Sequence, residues 1–236
     1  MRPLLWFLLC TIASLAYASD AATPPSRIQA SYLVYKGSLS IAQIDEVFSR
    51  DNDHYQLTST VKPLGLLAFF RPGKVHIKSH GLISEQGLQP LLFEDLRDAD
   101  AAKNSRAEFD WAKPALTLSN ATQKREETLP LGTQDRLSAM YQFMFLHLNA
   151  QSNLDFAMTN GNKLDDYHYR VETGERMVSA AGQFNTLYLD SQAKAGESRT
   201  QIWLAKEQHF LPCKVIVTDG DGDQLKQVLQ SLSVTP

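Results

Sequence analysis

The sequence predicts a mainly β protein, with a single curved antiparallel sheet forming a half-barrel or barrel and one buried helix in its concavity. Three observations carry that expectation. From Ile28 onward, apolar and polar residues alternate with period two, as half-buried strands require. Gly and Asn occupy the joints between these runs, where tight hairpin turns demand positive φ. Only residues 132–150 repeat their apolar positions at helical spacing.

The chain opens MRPLLWFLLCTIASLAYASDAATPPS. One basic residue, an apolar run from Leu4 to Ala16, and small residues at Ala16 and Ala18 predict that residues 1–18 are a signal peptide cleaved after Ala18. The run falls short of the roughly 18–20 apolar residues that span a bilayer, so the expectation is a periplasmic protein and not an integral membrane protein. Cys10 follows Leu9 inside the run, where a lipoprotein signal would want a small residue, so no lipid anchor is expected. Residues 19–27 are small, polar and proline-rich and form a short tether. Residues 28–236 form a single β-rich domain.

Past the leader Cys213 is the only cysteine, so stability must come from a core and not from an intramolecular disulfide. The net charge of the chain is −3, and −4 once the leader's one charged residue, Arg2, is removed. No nucleic acid partner is expected, because such binding calls for a basic patch.

Along the domain, HYQLTSTVK places Tyr55, Leu57 and Val61 on one face, with His54, Gln56, Thr58, Thr60 and Lys62 on the other. Comparable runs are IQASYLVYK, GKVHIKSHGLI, SRAEFDWAK, PALTLSN, KLDDYHYRVE, QFNTLYLD, RTQIWLAK and CKVIVTD. TNGNK, around Asn160 and Gly161, is the clearest turn. Between Pro63 and Pro72 runs a nearly continuous apolar stretch with Leu64, Leu66, Leu67, Phe69 and Phe70. It reads either as a buried plug or as an apolar lip at the mouth of the barrel, where a hydrophobic ligand enters. FEDLRDAD, residues 93–100, offers carboxylates of the kind glycoside hydrolysis uses, but Arg97 within it points to a solvated, charge-balanced loop.

GTQDRLSAMYQFMFLHLNA, residues 132–150, carries Leu137, Met140, Tyr141, Met144, Phe145 and Leu148 at helical spacing. Phe143 and Leu146 add apolar surface elsewhere, so the predicted helix is buried. Thr133 is its predicted N-cap, and Asp135 suits the positive end of its dipole. Asp135 and Ser138 lie one turn apart, but without a Gly-x-Ser-x-Gly elbow they read as capping and packing.

Three further features have quiet readings. VTDGDGDQLKQ would need Gly and Glu where Gln224 and Gln230 stand to match an EF-hand loop, so it reads as a hairpin turn. His76 and His80, about 13 Å apart on a strand, cannot share one metal ion. Cys213 reads as a buried small hydrophobe. No metal, cofactor or catalytic residue is expected, and the protein is read as not an enzyme.

YLVYKGSLSIAQ, FDWAKPALTL, LPLGTQDRLSAMYQF and IWLAKEQHFLPCKVIVTDGDG together resemble the DUF3108 family of exported bacterial proteins, over about Ile28 to Leu232. The most specific marks are the run from Gly132 to Ser138 and the strand Trp203-Leu204-Ala205 leading to Leu211-Pro212. The resemblance implies a compartment and a fold but no catalytic residues. The last of these stretches is also similar to LolA-like and LolB-like lipoprotein carriers, whose curved sheets hold helices and an acyl-chain cavity. That second resemblance implies a lipid or lipoprotein partner.

The expected function is therefore a non-enzymatic carrier or binding protein for a hydrophobic ligand. Leu66, Leu67, Phe69 and Phe70 would form its lip, and Met140, Tyr141 and Met144 would face the ligand from the helix. The alternative is a cell-envelope assembly factor that binds a protein partner through a sheet edge or through the same apolar stretch. A lined cavity of roughly 300 Å³ or more would favour the ligand, and a solid core the partner.

Overall fold

The computed structural model describes residues 24–70, 72–194 and 196–236. The predicted signal peptide and the first residues of the tether lie outside the described residues. The first eight strands are β1 (Arg27–Lys36), β2 (Leu39–Asp51), β3 (His54–Pro63), β4 (Val75–Ser84), β5 (Gly87–Arg97), β6 (Ser105–Asp110), β7 (Ala115–Asn120) and β8 (Lys124–Thr128). They form an antiparallel meander, each paired with its neighbour in sequence. The remaining strands are β9 (Gln134–Asp135), β10 (Asn153–Thr159), β11 (Leu164–Thr173), β12 (Met177–Ser179), β13 (Gly182–Phe184), β14 (Thr186–Asp190), β15 (Arg199–Ala205), β16 (Leu211–Thr218) and β17 (Gln224–Thr235).

One large curved sheet results, in the order β8 to β1, then β17, β16, β15, β14, β11, β10 and β9. β17 pairs with β1 along its whole length, from Arg27 opposite Thr235 to Lys36 opposite Leu225, so the two ends of the domain meet at mid-sheet. Among the described residues, no hydrogen-bonded ladder closes the sheet into a barrel. At the seam, the turn between β10 and β11 reaches the opposite edge through side chains. Ser105 Oγ donates to the Asn160 carbonyl (3.0 Å), and the Arg125 guanidinium donates to the Asn162 carbonyl (2.8 Å).

Period-two alternation produces the inner face as expected: in β3, Tyr55, Leu57 and Ser59 are buried while His54 and Gln56 are exposed. Two strands carry more than the sequence pattern suggested. β2, which no clear alternation announced, sets Ile44, Glu46 and Phe48 at alternate positions. The expected solvated loop at residues 93–97 is instead the end of β5, with Phe93 and Asp95 buried. Its charges are not loop solvation, because Asp95 is held between two arginines and so tolerates burial.

The long predicted helix is also corrected. Only α2 (Ser138–Gln142) is α-helical; it is followed by 3₁₀ turns at Phe143–Phe145 and Leu148–Ala150, with Leu146 extended between them. The reason lies in packing. Leu137 and Tyr141 enter one core, with Phe48, Leu57 and Phe93, whereas Phe143 and Leu148 enter another, with Leu154, Leu189 and Ile202. A single straight helix cannot serve both. Thr133 does not cap: its hydroxyl donates to the Pro130 carbonyl (2.7 Å). Asp135 takes the capping role, accepting from the backbone N–H groups of Leu137 and Ser138 (2.9 and 2.8 Å).

Residues 129–150 thus form a strap across the concavity. The Gln134 amide donates to the Leu88 carbonyl on β5 (2.8 Å), and the Arg136 backbone N–H donates to Thr159 on β10 (3.0 Å). A third core, around Trp203 and Cys213, includes Phe184 and Met177 from the β12–β13 hairpin.

Candidate functional site

Beneath the strap the sheet is hollow. An inner chamber of about 300 Å³ has a floor that includes Ile44, Glu46, Ile77 and Val215, and the strap supplies Arg136, Leu137 and Met140. A wider outer chamber of about 670 Å³ lies between Leu67, Phe70 and Pro72 on one side and Lys74, Asp100 and Lys103 on the other. Val61, Val75 and Arg97 border both chambers, so Arg97 stands at the neck between them. Both volumes fall in the range that small-molecule sites occupy.

Of the two readings of the apolar stretch, the buried plug is the one this geometry does not support. Residues Gly65–Phe70 form a six-residue helix, α1, with no buried side chain. Leu66, Phe69 and Phe70 are 76%, 80% and 73% exposed. Leu67 and Phe70 line the outer chamber, whereas Leu66 and Phe69 do not border either chamber. Of the three helix residues, Met140 lines the inner chamber. Tyr141 is buried, stacked on Phe48 with ring centroids 5.7 Å apart, and its hydroxyl donates to Glu46 (3.1 Å). Met144 is partly buried against the first core.

The charged lining was not singled out from the sequence. Glu46 accepts from the Ser59 hydroxyl (3.1 Å) as well as from Tyr141, yet burial outweighs both bonds and pushes its carboxyl up to about 7. On the strap and on β5, Arg136 and Arg97 both donate to one oxygen of buried Asp95, at 2.7 and 3.3 Å. Enclosure by protein pulls the Arg136 guanidinium down from its ordinary value, and Asp95 works in the other direction. Arg136 also lies over the Phe93 ring, 5.9 Å from its centroid. Only the place of Glu46 midway between Ile44 and Phe48 and the Arg-Asp spacing in DLRD could have hinted at these groups; a period-two reading sees strands and ignores which face a charge occupies.

A buried polar network holds Arg136 in place. Asp135 accepts from the Ser79 hydroxyl (2.5 Å), Tyr55 bonds to the same hydroxyl (3.0 Å), and Ser138 Oγ accepts from the Asp135 N–H (2.9 Å). Burial raises the Asp135 pKa against these bonds. The Asp135–Ser138 pair therefore caps and packs, as expected. It anchors the strap to β4 one residue before Arg136.

The remaining motifs also resolve. In TDGDGD the Gly222 N–H donates to the Asp219 carbonyl (3.0 Å), and the Asp219 side chain accepts from the N–H groups of Asp221 and Asp223, which is a hairpin turn. Cys213 is buried, its thiol donates to the Trp203 carbonyl (3.3 Å), and burial pushes it up to about 12. His76 approaches Asp98 (3.5 Å), and His80 is exposed.

Among solved structures, the chain is similar to a β-barrel-like protein of the DUF1849 domain from Brucella abortus, at 9% identity, TM-score 0.57, over 90% of this chain and 99% of that one. That likeness supports the fold alone. A candidate lipoprotein from Parabacteroides distasonis aligns at 10% identity and TM-score 0.38, over 89% and 97% of the two chains. A candidate exported protein with a YmcC-like fold from Bacteroides fragilis aligns at 8% identity and TM-score 0.35, over 89% and 96%. No curated protein matches the chain. The family described as "protein of unknown function (DUF3108)" matches residues 31–230, and with its marks at Gly132–Ser138 and Trp203–Pro212 placed in the strap and in the β15–β16 hairpin, the chain belongs to the DUF3108 family.

Proposed function

We propose that the protein is a non-enzymatic, exported binding or carrier protein that holds a hydrophobic ligand, such as an acyl chain, in the hollow of its sheet. The observation that carries this reading is the pair of adjoining chambers, about 300 and 670 Å³, which share Val61, Val75 and Arg97 and have apolar side chains along both. Leu67 and Phe70 flank the entrance, Val61 and Val75 the neck, and Met140 the inner end, where its flexible thioether can adapt to different chains. The leader predicted at residues 1–18 would place this activity in the periplasm.

Exposure of Leu66, Phe69 and Phe70 on α1 favours a second, compatible reading, in which the lip also contacts an envelope protein partner. Strand addition at the β8 edge is disfavoured, because β8 (KREET) is short, exposed and charged. Native mass spectrometry of protein purified gently from periplasm tests the ligand reading. Recovery of a stoichiometric apolar ligand is expected. Repeated preparations that carry none would overturn it.

A further inference from the structure

The inner chamber is apolar in volume but not in charge. Arg97 and Arg136 line it from β5 and from the strap, and both direct one N–H group to the same oxygen of Asp95, at 3.3 and 2.7 Å. A guanidinium carries five N–H donors. Among the described residues neither side chain makes another hydrogen bond, and the Nε atom of each is buried without a partner. Two guanidiniums share one carboxylate here, whose second oxygen is buried without a partner, while Asp135 acts on Arg136, Asp100 on Arg97, and Glu46 borders the same chamber. The side chains remain 37% and 35% exposed, so a ligand in the chamber can reach them. The N–H groups not spent on Asp95 are donors that an acceptor in the chamber could meet.

The geometry points to an anionic amphiphile as the ligand, its single acidic headgroup, carboxylate or phosphate monoester, held by Arg97 and Arg136 while its chain runs past Val61 and Val75 to Leu67 and Phe70. This assignment rests on the binding reading above and adds the headgroup class to it. An anion of this kind meets the planar fork of a guanidinium with paired, charge-assisted hydrogen bonds, which a neutral alcohol cannot do. Glu46 borders the same chamber, and burial favours its neutral form, so it opposes the anion less than an exposed carboxylate would. The rim of the outer chamber adds Lys74, while Lys103 there is paired with Asp100 (2.7 Å).

The test uses the purified protein and three probes of equal chain length: dodecanoate, dodecyl phosphate and dodecanol. Binding is read by displacement of the neutral fluorophore N-phenyl-1-naphthylamine. Tighter binding of one or both acids than of the alcohol is expected, by roughly ten-fold or more, the scale of one charge-assisted hydrogen bond. Preference for dodecanoate alone assigns a carboxylate, and preference for dodecyl phosphate alone assigns a phosphate. Arg97→Gln should abolish most of that preference, bringing the acid-to-alcohol affinity ratio down toward one; this variant is the cleaner one, since Asp95 keeps its closer partner Arg136. Equal affinity for acids and alcohol in the wild type would overturn the headgroup assignment while leaving the binding reading intact, as would a preference that survives Arg97→Gln and Arg136→Gln. If neither the fluorophore nor any probe binds, the binding reading itself fails and the assignment falls with it.

Discussion

Glu46 is a carboxyl group placed where water is scarce, on a strand whose alternate residues Ile44 and Phe48 face the same interior. Its folded-state pKa of about 7 lies above the ordinary value of 4.5, so the folded protein holds this proton where the unfolded chain has released it. Below pH 4.5 both states are protonated and Glu46 is neutral in its effect. Between 4.5 and 7 the unfolded chain binds fewer protons, and stability falls as pH rises. The limit of this loss is about 3 kcal/mol, from roughly 1.4 kcal/mol per pKa unit. Glu46→Gln keeps the hydrogen-bonding shape and removes the ionisation. Urea unfolding at pH 5 and pH 8 should show the variant gaining stability over the wild type at pH 8 and not at pH 5. Asp45 and Asp190, whose pKa values are lowered from 3.8, lose their contribution only below that value and so add no slope between pH 5 and 8. A constant difference at both pH values would mean that Glu46 is solvated.

At the scale of elements, turn chemistry was the most legible part of the sequence. Gly222 adopts φ +89° in the turn between β16 and β17, as an Asp-Gly hairpin demands, and a Cβ placed there would meet no atom within 4 Å. Gly222→Val should therefore cost stability through backbone conformation alone, by about 1 kcal/mol or more. Asp221→Asn should leave stability nearly unchanged, because Asn tolerates the same backbone and Asp219 is the residue that bonds the turn. Thermal melts of the two variants check the contrast. The strap was the least legible element. Its apolar residues have helical spacing, but spacing does not tell which of two cores each residue will enter, and division between the cores is what breaks the helix after Gln142.

At the scale of the molecule, the open sheet is held near closure by side chains across the seam. Gly161, in the turn between β10 and β11, has φ +85°, and a Cβ there would lie 2.6 Å from Ser105 Oγ and 3.1 Å from the Arg106 backbone nitrogen. Gly161→Ala meets both a conformational penalty and a clash with backbone on β6, so it should destabilise by about 2 kcal/mol, more than an exposed turn glycine. Hydrogen exchange should accelerate in β6 and β10 and not in the β1–β17 pair. Loss of protection spread evenly over the sheet would show that the seam is not an independent unit.

The sequence by itself determined the family, the sheet class, most strand faces, the hairpin at Asp219–Asp223 and the apolar stretch from Leu64 to Phe70. Each follows from local rules: side chains alternate along a strand, glycine takes positive φ, and an apolar run between prolines has nowhere else to turn. Only the tertiary structure decided that Arg97, Arg136 and Asp95 meet, that Glu46 faces a chamber, and that the strap leaves that chamber unfilled. Arg97 and Arg136 are separated by four strands of sequence and brought together by the path of the strap from β8 to β10. Their encounter depends on sheet curvature and long-range packing, which a periodic pattern does not encode, and so the charge in the concavity became visible only once the chain was folded.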